Sequence, residues 1–149
     1  MSQFTRTLAD EADTLEFGQM LAARILAGLT IYLNGELGAG KTTLARGILR
    51  GLGYQGKVKS PTFTLVEVYS LPAFELFHFD FYRFTDPNEL AQAGFRDHFT
   101  PQSVCLIEWP CKAIGLPVAD LNIQLNVQDQ GRIAILQAQS ELGKSCLPY

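Results

Sequence analysis

One segment, Gly35-Glu36-Leu37-Gly38-Ala39-Gly40-Lys41-Thr42, constrains this chain more than any other. It fits the phosphate-binding pattern G-x-x-x-x-G-K-[ST] at every fixed position, which a random chain of this length does about once in two hundred. Such a loop turns its backbone N–H groups toward one point, because its glycines permit φ > 0 and put no Cβ between backbone and ligand. The flanks agree with that use. Leu29-Thr30-Ile31-Tyr32-Leu33 reads as a buried strand entering the loop. Beyond it, Leu44, Ile48, Leu49 and Leu52 recur at helical spacing, with Gly51 and Gly53 as the stop. Strand, glycine loop and helix together hold a polyphosphate by amides and helix dipole. Gly38, Ala39, Gly40, Lys41, Thr42 and Thr43 are the candidate binding residues, with Lys41 reaching the β- and γ-phosphates and Thr42 ligating Mg²⁺.

The chain's 149 residues suit one domain, 1–149, with 47 % apolar and 18 % charged residues. No run approaches a membrane span, and Met1 to Asp13 lacks a basic-then-apolar signal pattern. Cys105, Cys111 and Cys146 have neither an even count nor a C-x-x-C spacing, so they read as reduced thiols of a cytoplasmic protein. A net charge of −3 with scattered Lys and Arg argues against strong direct nucleic-acid binding. If the chain serves an RNA pathway, a partner holds the RNA.

Thr14 to Ala27 carries Phe17, Leu21 and Ile25 four apart and predicts an amphipathic helix stopped by Gly28. Phe63–Tyr69 and Phe74–Phe81 are strand-forming runs joined by Ser70-Leu71-Pro72-Ala73, an antiparallel hairpin. Asp86-Pro87-Asn88-Glu89 opens a short helix ending near Gly94. Val104-Cys105-Leu106-Ile107 predicts an inner strand covered on both faces. Leu121, Ile123, Leu125 and Val127 alternate with polar residues, and Asp129-Gln130-Gly131 turns that strand into a second one, Arg132 to Ala138. Residues 139–149 read as a loose tail. The expected fold is a single α/β, P-loop NTPase-like domain: a mixed, mostly central sheet, flanking helices and an antiparallel C-terminal hairpin.

Such a site needs acids for the magnesium and a group to order the attacking water. Glu108 and Asp80 each end an apolar run, where one or two carboxylates beside Thr42 suffice for Mg²⁺. The plainer alternative, that they cap strands or pair with an Arg, stays open. Ser60-Pro61-Thr62-Phe63-Thr64 falls where nucleotide-sensing loops lie, or is a proline turn opening a strand. Arg83 either neutralises phosphate charge or pairs with Asp80 or Asp86. His78 shares a strand face with Asp80 and reads first as a packed or hydrogen-bonded group, Trp109 first as core. No N-K-x-D element marks a guanine reader, which favours ATP.

Taken together, GELGAGKTT, SPTFTLVEVY, HFDFYR and LIEWP, in this order from Asp10 to Arg132, resemble the TsaE (formerly YjeE) family. The resemblance implies a small bacterial ATPase needed for threonylcarbamoyladenosine formation at the adenosine 3′ of the anticodon. It implies work with TsaB and TsaD, meeting tRNA only through that complex, and an ATP cycle that drives or resets the complex without transferring the group. By matching positions, Lys41 and Thr42 serve phosphate and magnesium, Glu108 is the second magnesium residue, and Asp80 is associated with hydrolysis. Thr62 and Thr64 occupy a switch-like loop; Arg132 and Glu11 lie toward the nucleotide base. The alternative from another class is a small-molecule P-loop kinase with Asp80 as base, which would need an acceptor pocket and a lid.

Overall fold

The computed structural model describes residues 2–61, 63–83 and 95–148. Thr62, Asp86 and the helix expected between Asp86 and Gly94 lie outside them. Among the described residues the strands are β1 (Gln3–Leu8), β2 (Thr30–Asn34), β3 (Val66–Ser70), β4 (Glu75–Asp80), β5 (Ser103–Glu108), β6 (Leu121–Gln128) and β7 (Gly131–Ala138). The helices are α1 (Glu11–Ala22), α2 (Lys41–Gly51) and the single-turn α3 (Glu141–Lys144). The seven strands form one sheet in the order β1-β7-β6-β2-β5-β4-β3.

β2, which feeds the glycine loop, is central and runs parallel to β5 and β6. β4 joins β5 in parallel, whereas β3, β7 and β1 add antiparallel pairs. The sheet is therefore mixed, with the predicted 121–138 hairpin observed as β6–β7. Inner strands covered on both faces need no alternation, and β5 is buried from Val104 to Glu108. Side chains still take opposite faces. Val104, Leu106 and Leu76 join the core beneath α1 and α2, while Phe77, Phe79, Cys105 and Ile107 form a second cluster on the other face. By that period of two, His78, Asp80 and Glu108 share the helix-bearing face.

Three expectations are corrected. The first helix spans Glu11–Ala22, starting earlier and ending five residues before Ala27. Asp10 caps it, its side chain accepting the Asp13 N–H at 2.8 Å. After Ala22 the bonds tighten to i→i+3 (Arg24 to Leu21, Ile25 to Ala22), and Gly28, at φ +92°, makes the bend into β2. β1 is an unforeseen edge strand: its inward row Phe4, Arg6, Leu8 is interrupted by a charge, whose guanidinium lies over the Phe4 and Phe17 rings at 5.2 and 5.3 Å.

The third correction concerns the tail. Ser140 caps α3 and also donates to Asp120 Oδ1 at 2.7 Å, and beyond α3 Cys146 and Leu147 are buried in the main core. The apolar pair, not the polar residues before it, decides where the segment goes.

Candidate active site

The glycine loop leads into α2 with Gly40 at φ +102°, a left-handed position that a side chain would strain. The start of α2 has no side-chain cap and no acid in its first turn, whereas α1 has Asp10 as cap and Glu11 and Asp13 behind it. The positive end of α2 is thus left to an external anion. Gly38, at φ +81°, has no atom within 4 Å of where a Cβ would stand, so the loop's outer wall is open. At its other end α2 closes with Gly53 at φ +95°, Gly53 N–H to Arg50 and Tyr54 N–H to Leu49.

A cavity of about 460 Å³ sits over this loop. Gly38, Gly40, Lys41, Thr42 and Thr43 line its floor; Asp80, Glu108, Trp109 and Ser60 form one wall; Asp10, Glu11, Thr14, Gln130, Gly131 and Arg132 form the other. Ala39 is fully buried and faces the core instead. The parallel register that sets Asp80 opposite Glu108 brings both strand-end carboxylates to one place. Both are nearly inaccessible, at 4 % exposure each.

Lys41 is buried, and its Nζ donates to the Gly35 carbonyl at 2.5 Å, lies 3.8 Å from Glu108 Oε1 and stands 4.3 Å from the Trp109 ring centroid. Burial lowers the lysine's pKa, against the upward pull of the Glu108 and Asp80 carboxylates. An ammonium removed from water beside two acids is primed for a stronger anion. Glu108 is held from below by His78, whose Nε2 lies 2.6 Å from Oε2. Asp80 Oδ1 accepts the Tyr82 N–H at 2.9 Å.

The backbone around these acids is strained. Trp109, next to Glu108, has φ +56°, and Leu65, whose carbonyl accepts the Asp80 N–H, has φ +70°. Each such non-glycine residue costs about 1–3 kcal/mol and persists only where its surroundings hold it.

Arg132, at the start of β7, crosses to the loop: Nε donates to the Ala39 carbonyl at 2.9 Å and a terminal nitrogen to Gly38 at 3.0 Å. Glu11 lines the cavity while pairing with Arg46 at 3.6 Å. Thr64 is exposed, and Arg83 lies over the Phe63 ring at 4.5 Å; neither is among the cavity's lining residues. Sequence reasoning missed Asp10, Thr14 and Gln130 as wall residues. They sit in a cap, a helix and a turn whose approach to the loop is purely tertiary, and the N-cap pattern at Asp10 was the one local signal available.

The donor set fits magnesium. Thr42, Asp80 and Glu108 line one cavity and offer only oxygen, the donor type that magnesium takes. Charge agrees: the lining holds four carboxylates against Lys41 and Arg132, so a bare triphosphate needs a divalent counter-ion.

The family model described as threonylcarbamoyl adenosine biosynthesis protein TsaE matches residues 8–135. A protein of Haemophilus influenzae named "tRNA threonylcarbamoyladenosine biosynthesis protein TsaE" is 46 % identical over 153 residues, covering 99 % of this chain and 97 % of its own. Its namesake in Bacillus subtilis is 38 % identical over 109 residues, 73 % of this chain and 68 % of that one. Among solved structures, the crystal structure of Bacillus subtilis YdiB superimposes with a TM-score of 0.81 at 28 % identity, over 97 % of this chain and 91 % of that one. With a family match across most of its length and relatives at this identity, the chain belongs to the TsaE family.

Proposed function

We propose that this chain is a magnesium-dependent ATPase of tRNA threonylcarbamoyladenosine formation, which binds and slowly hydrolyses ATP to drive or reset a TsaB–TsaD complex. The observation that carries the reading is the uncapped, acid-free start of α2 facing two buried carboxylates across one cavity. The names of its relatives, tRNA threonylcarbamoyladenosine biosynthesis proteins, support the pathway part of the reading. The adenosine 3′ of the anticodon is the target, and the group transfer belongs to the partners.

In this reading the loop amides and the α2 dipole take the phosphates, and Lys41 neutralises charge on the β- and γ-groups. Thr42 and Glu108 would hold magnesium, which when bound screens the phosphate charge and aligns the terminal group. Asp80 orders the attacking water. Glu11 and Arg132 flank the base end, and ATP is the nucleotide. With a net charge of −3, the chain leaves tRNA to TsaB and TsaD, in the cytoplasm. Among the described residues no helix is long and apolar enough to cross a membrane.

The test is steady-state ATP hydrolysis, alone and with TsaB and TsaD, for wild type and Glu108→Ala. Weak turnover that rises with the partners and vanishes in the variant is expected. Turnover unmoved by partners but stimulated by nucleosides would replace this reading with a small-molecule kinase.

A further inference from the structure

We infer that His78 is the positioning residue of Glu108, holding that carboxylate in the orientation that serves the magnesium side of the cavity. The inference rests on the function proposed above. His78 is fully buried on β4, two residues before Asp80, and in the parallel register it lies opposite Leu106, two residues before Glu108. Its Nε2 stands 2.6 Å from Glu108 Oε2. An ionised carboxylate only accepts, so the ring carries its proton on Nε2 and donates it. The other oxygen, Oε1, faces Lys41 Nζ at 3.8 Å. One oxygen is therefore tied inside the sheet and the other is turned toward the cavity floor. Glutamate has three side-chain torsions, so without such a tie its carboxylate samples several directions; an imidazole packed within the core is a fixed point.

The second nitrogen shows what the ring is for. His78 Nδ1 is buried and has no hydrogen-bond partner among the described residues. Buried polar atoms are almost always paired, so an orphan asks for a reason. A phenylalanine would remove this orphan, but it would also take away the hydrogen bond to the buried Glu108 carboxylate. Among the described residues the ring's one polar contact with a side chain is the carboxylate, which is the pattern of a partner that orients a metal ligand from behind.

The test is Mg²⁺-dependent binding of the non-hydrolysable analogue AMP-PNP, followed calorimetrically in EDTA and across a Mg²⁺ titration. His78→Phe should leave affinity in EDTA within about twofold and raise the Mg²⁺ midpoint about tenfold or more, the range for losing such an orienting partner. His78→Gln, which keeps an amide N–H at similar reach, should recover most of the shift, and His78→Asn, which stops short, should not. In a Glu108→Gln background the phenylalanine should add no further shift. A midpoint unmoved in His78→Phe, or an equal loss of affinity in EDTA, overturns the assignment. If His78→Phe does not fold, equal midpoints for the Gln and Asn variants overturn it instead. Wild-type protein that binds AMP-PNP equally with and without Mg²⁺ refutes the underlying ATPase reading, and thereby this one.

Discussion

Gly47→Ala reverses sign between local and tertiary reasoning. Gly47 lies mid-way along α2, where replacing glycine by alanine favours the helix by about 1 kcal/mol. In the structure a Cβ there would stand 2.3 Å from the Leu15 carbonyl oxygen and 3.1 Å from the Gly18 Cα, both backbone atoms of α1. Neither can rotate aside, so the two helices must part by about 1 Å to restore ordinary contact. Overpacking of this kind costs about 1–3 kcal/mol, and backbone against backbone belongs at the upper end. After subtracting the helix gain, a net loss of about 2 kcal/mol remains, lowering Tm by about 4–8 °C for a chain of this size. Lys41 and Thr42 ride on the first turn of α2 while Asp80 and Glu108 stay with the sheet. A shift of about 1 Å between them costs up to about a hundredfold in rate. Calorimetric melting and ATP hydrolysis measure the two effects. A Tm equal to or above that of wild type would refute the close α1–α2 contact and the reasoning built on it.

Four further outcomes are expected. Asp80→Ala should keep ATP affinity within a few-fold while hydrolysis falls about 10²–10⁴-fold, read by parallel binding and turnover assays; unchanged turnover removes Asp80 from the mechanism. Leu147→Ala should destabilise by about 2–5 kcal/mol in urea unfolding, because Leu147 is 2 % exposed in the main core; a change near zero would restore the tail as loose. With a thiol reagent at pH 8, native protein should titrate one fast thiol, the exposed Cys111, and denatured protein all three. Burial pushes the Cys105 thiol up to about 12 and raises Cys146, Tyr32 and Tyr69 as well. A pKa raised on folding gives stability that is present below the unfolded value, near 9 for the thiol, and is lost as pH climbs toward the folded one. Urea unfolding should weaken between pH 9 and 12, by at most about 4 kcal/mol from Cys105, and Cys105→Ala should flatten the decline.

What was readable in the chain was whatever repeats locally. The Leu29–Leu33 run, the glycine loop and the 44-48-49-52 spacing announced β2 and α2, because each pattern reports the period of its own backbone. The unbroken Val104–Ile107 run announced an inner strand for the same reason. β1 was hidden because a charge stands in its inward row, and that charge is tolerated through the rings of Phe4 and Phe17, which no local window joins. The tail was misread because its polar cap masks Cys146 and Leu147, whose burial depends on the hollow they enter.

The sequence by itself determined that a phosphate-binding loop sits between a buried strand and a helix, since the glycines, the lysine and the periodicities are local properties of neighbouring residues. It also marked two acids at strand ends. Only the tertiary structure decided that these acids stand side by side, because parallel register sets Asp80 opposite Glu108, far along the chain. Likewise only packing brought Arg132 to the carbonyls of Gly38 and Ala39, and His78 to the carboxylate of Glu108. The physical reason is one of range: backbone preference acts over a few residues, whereas the cavity is made by groups that become neighbours only when apolar surface is buried.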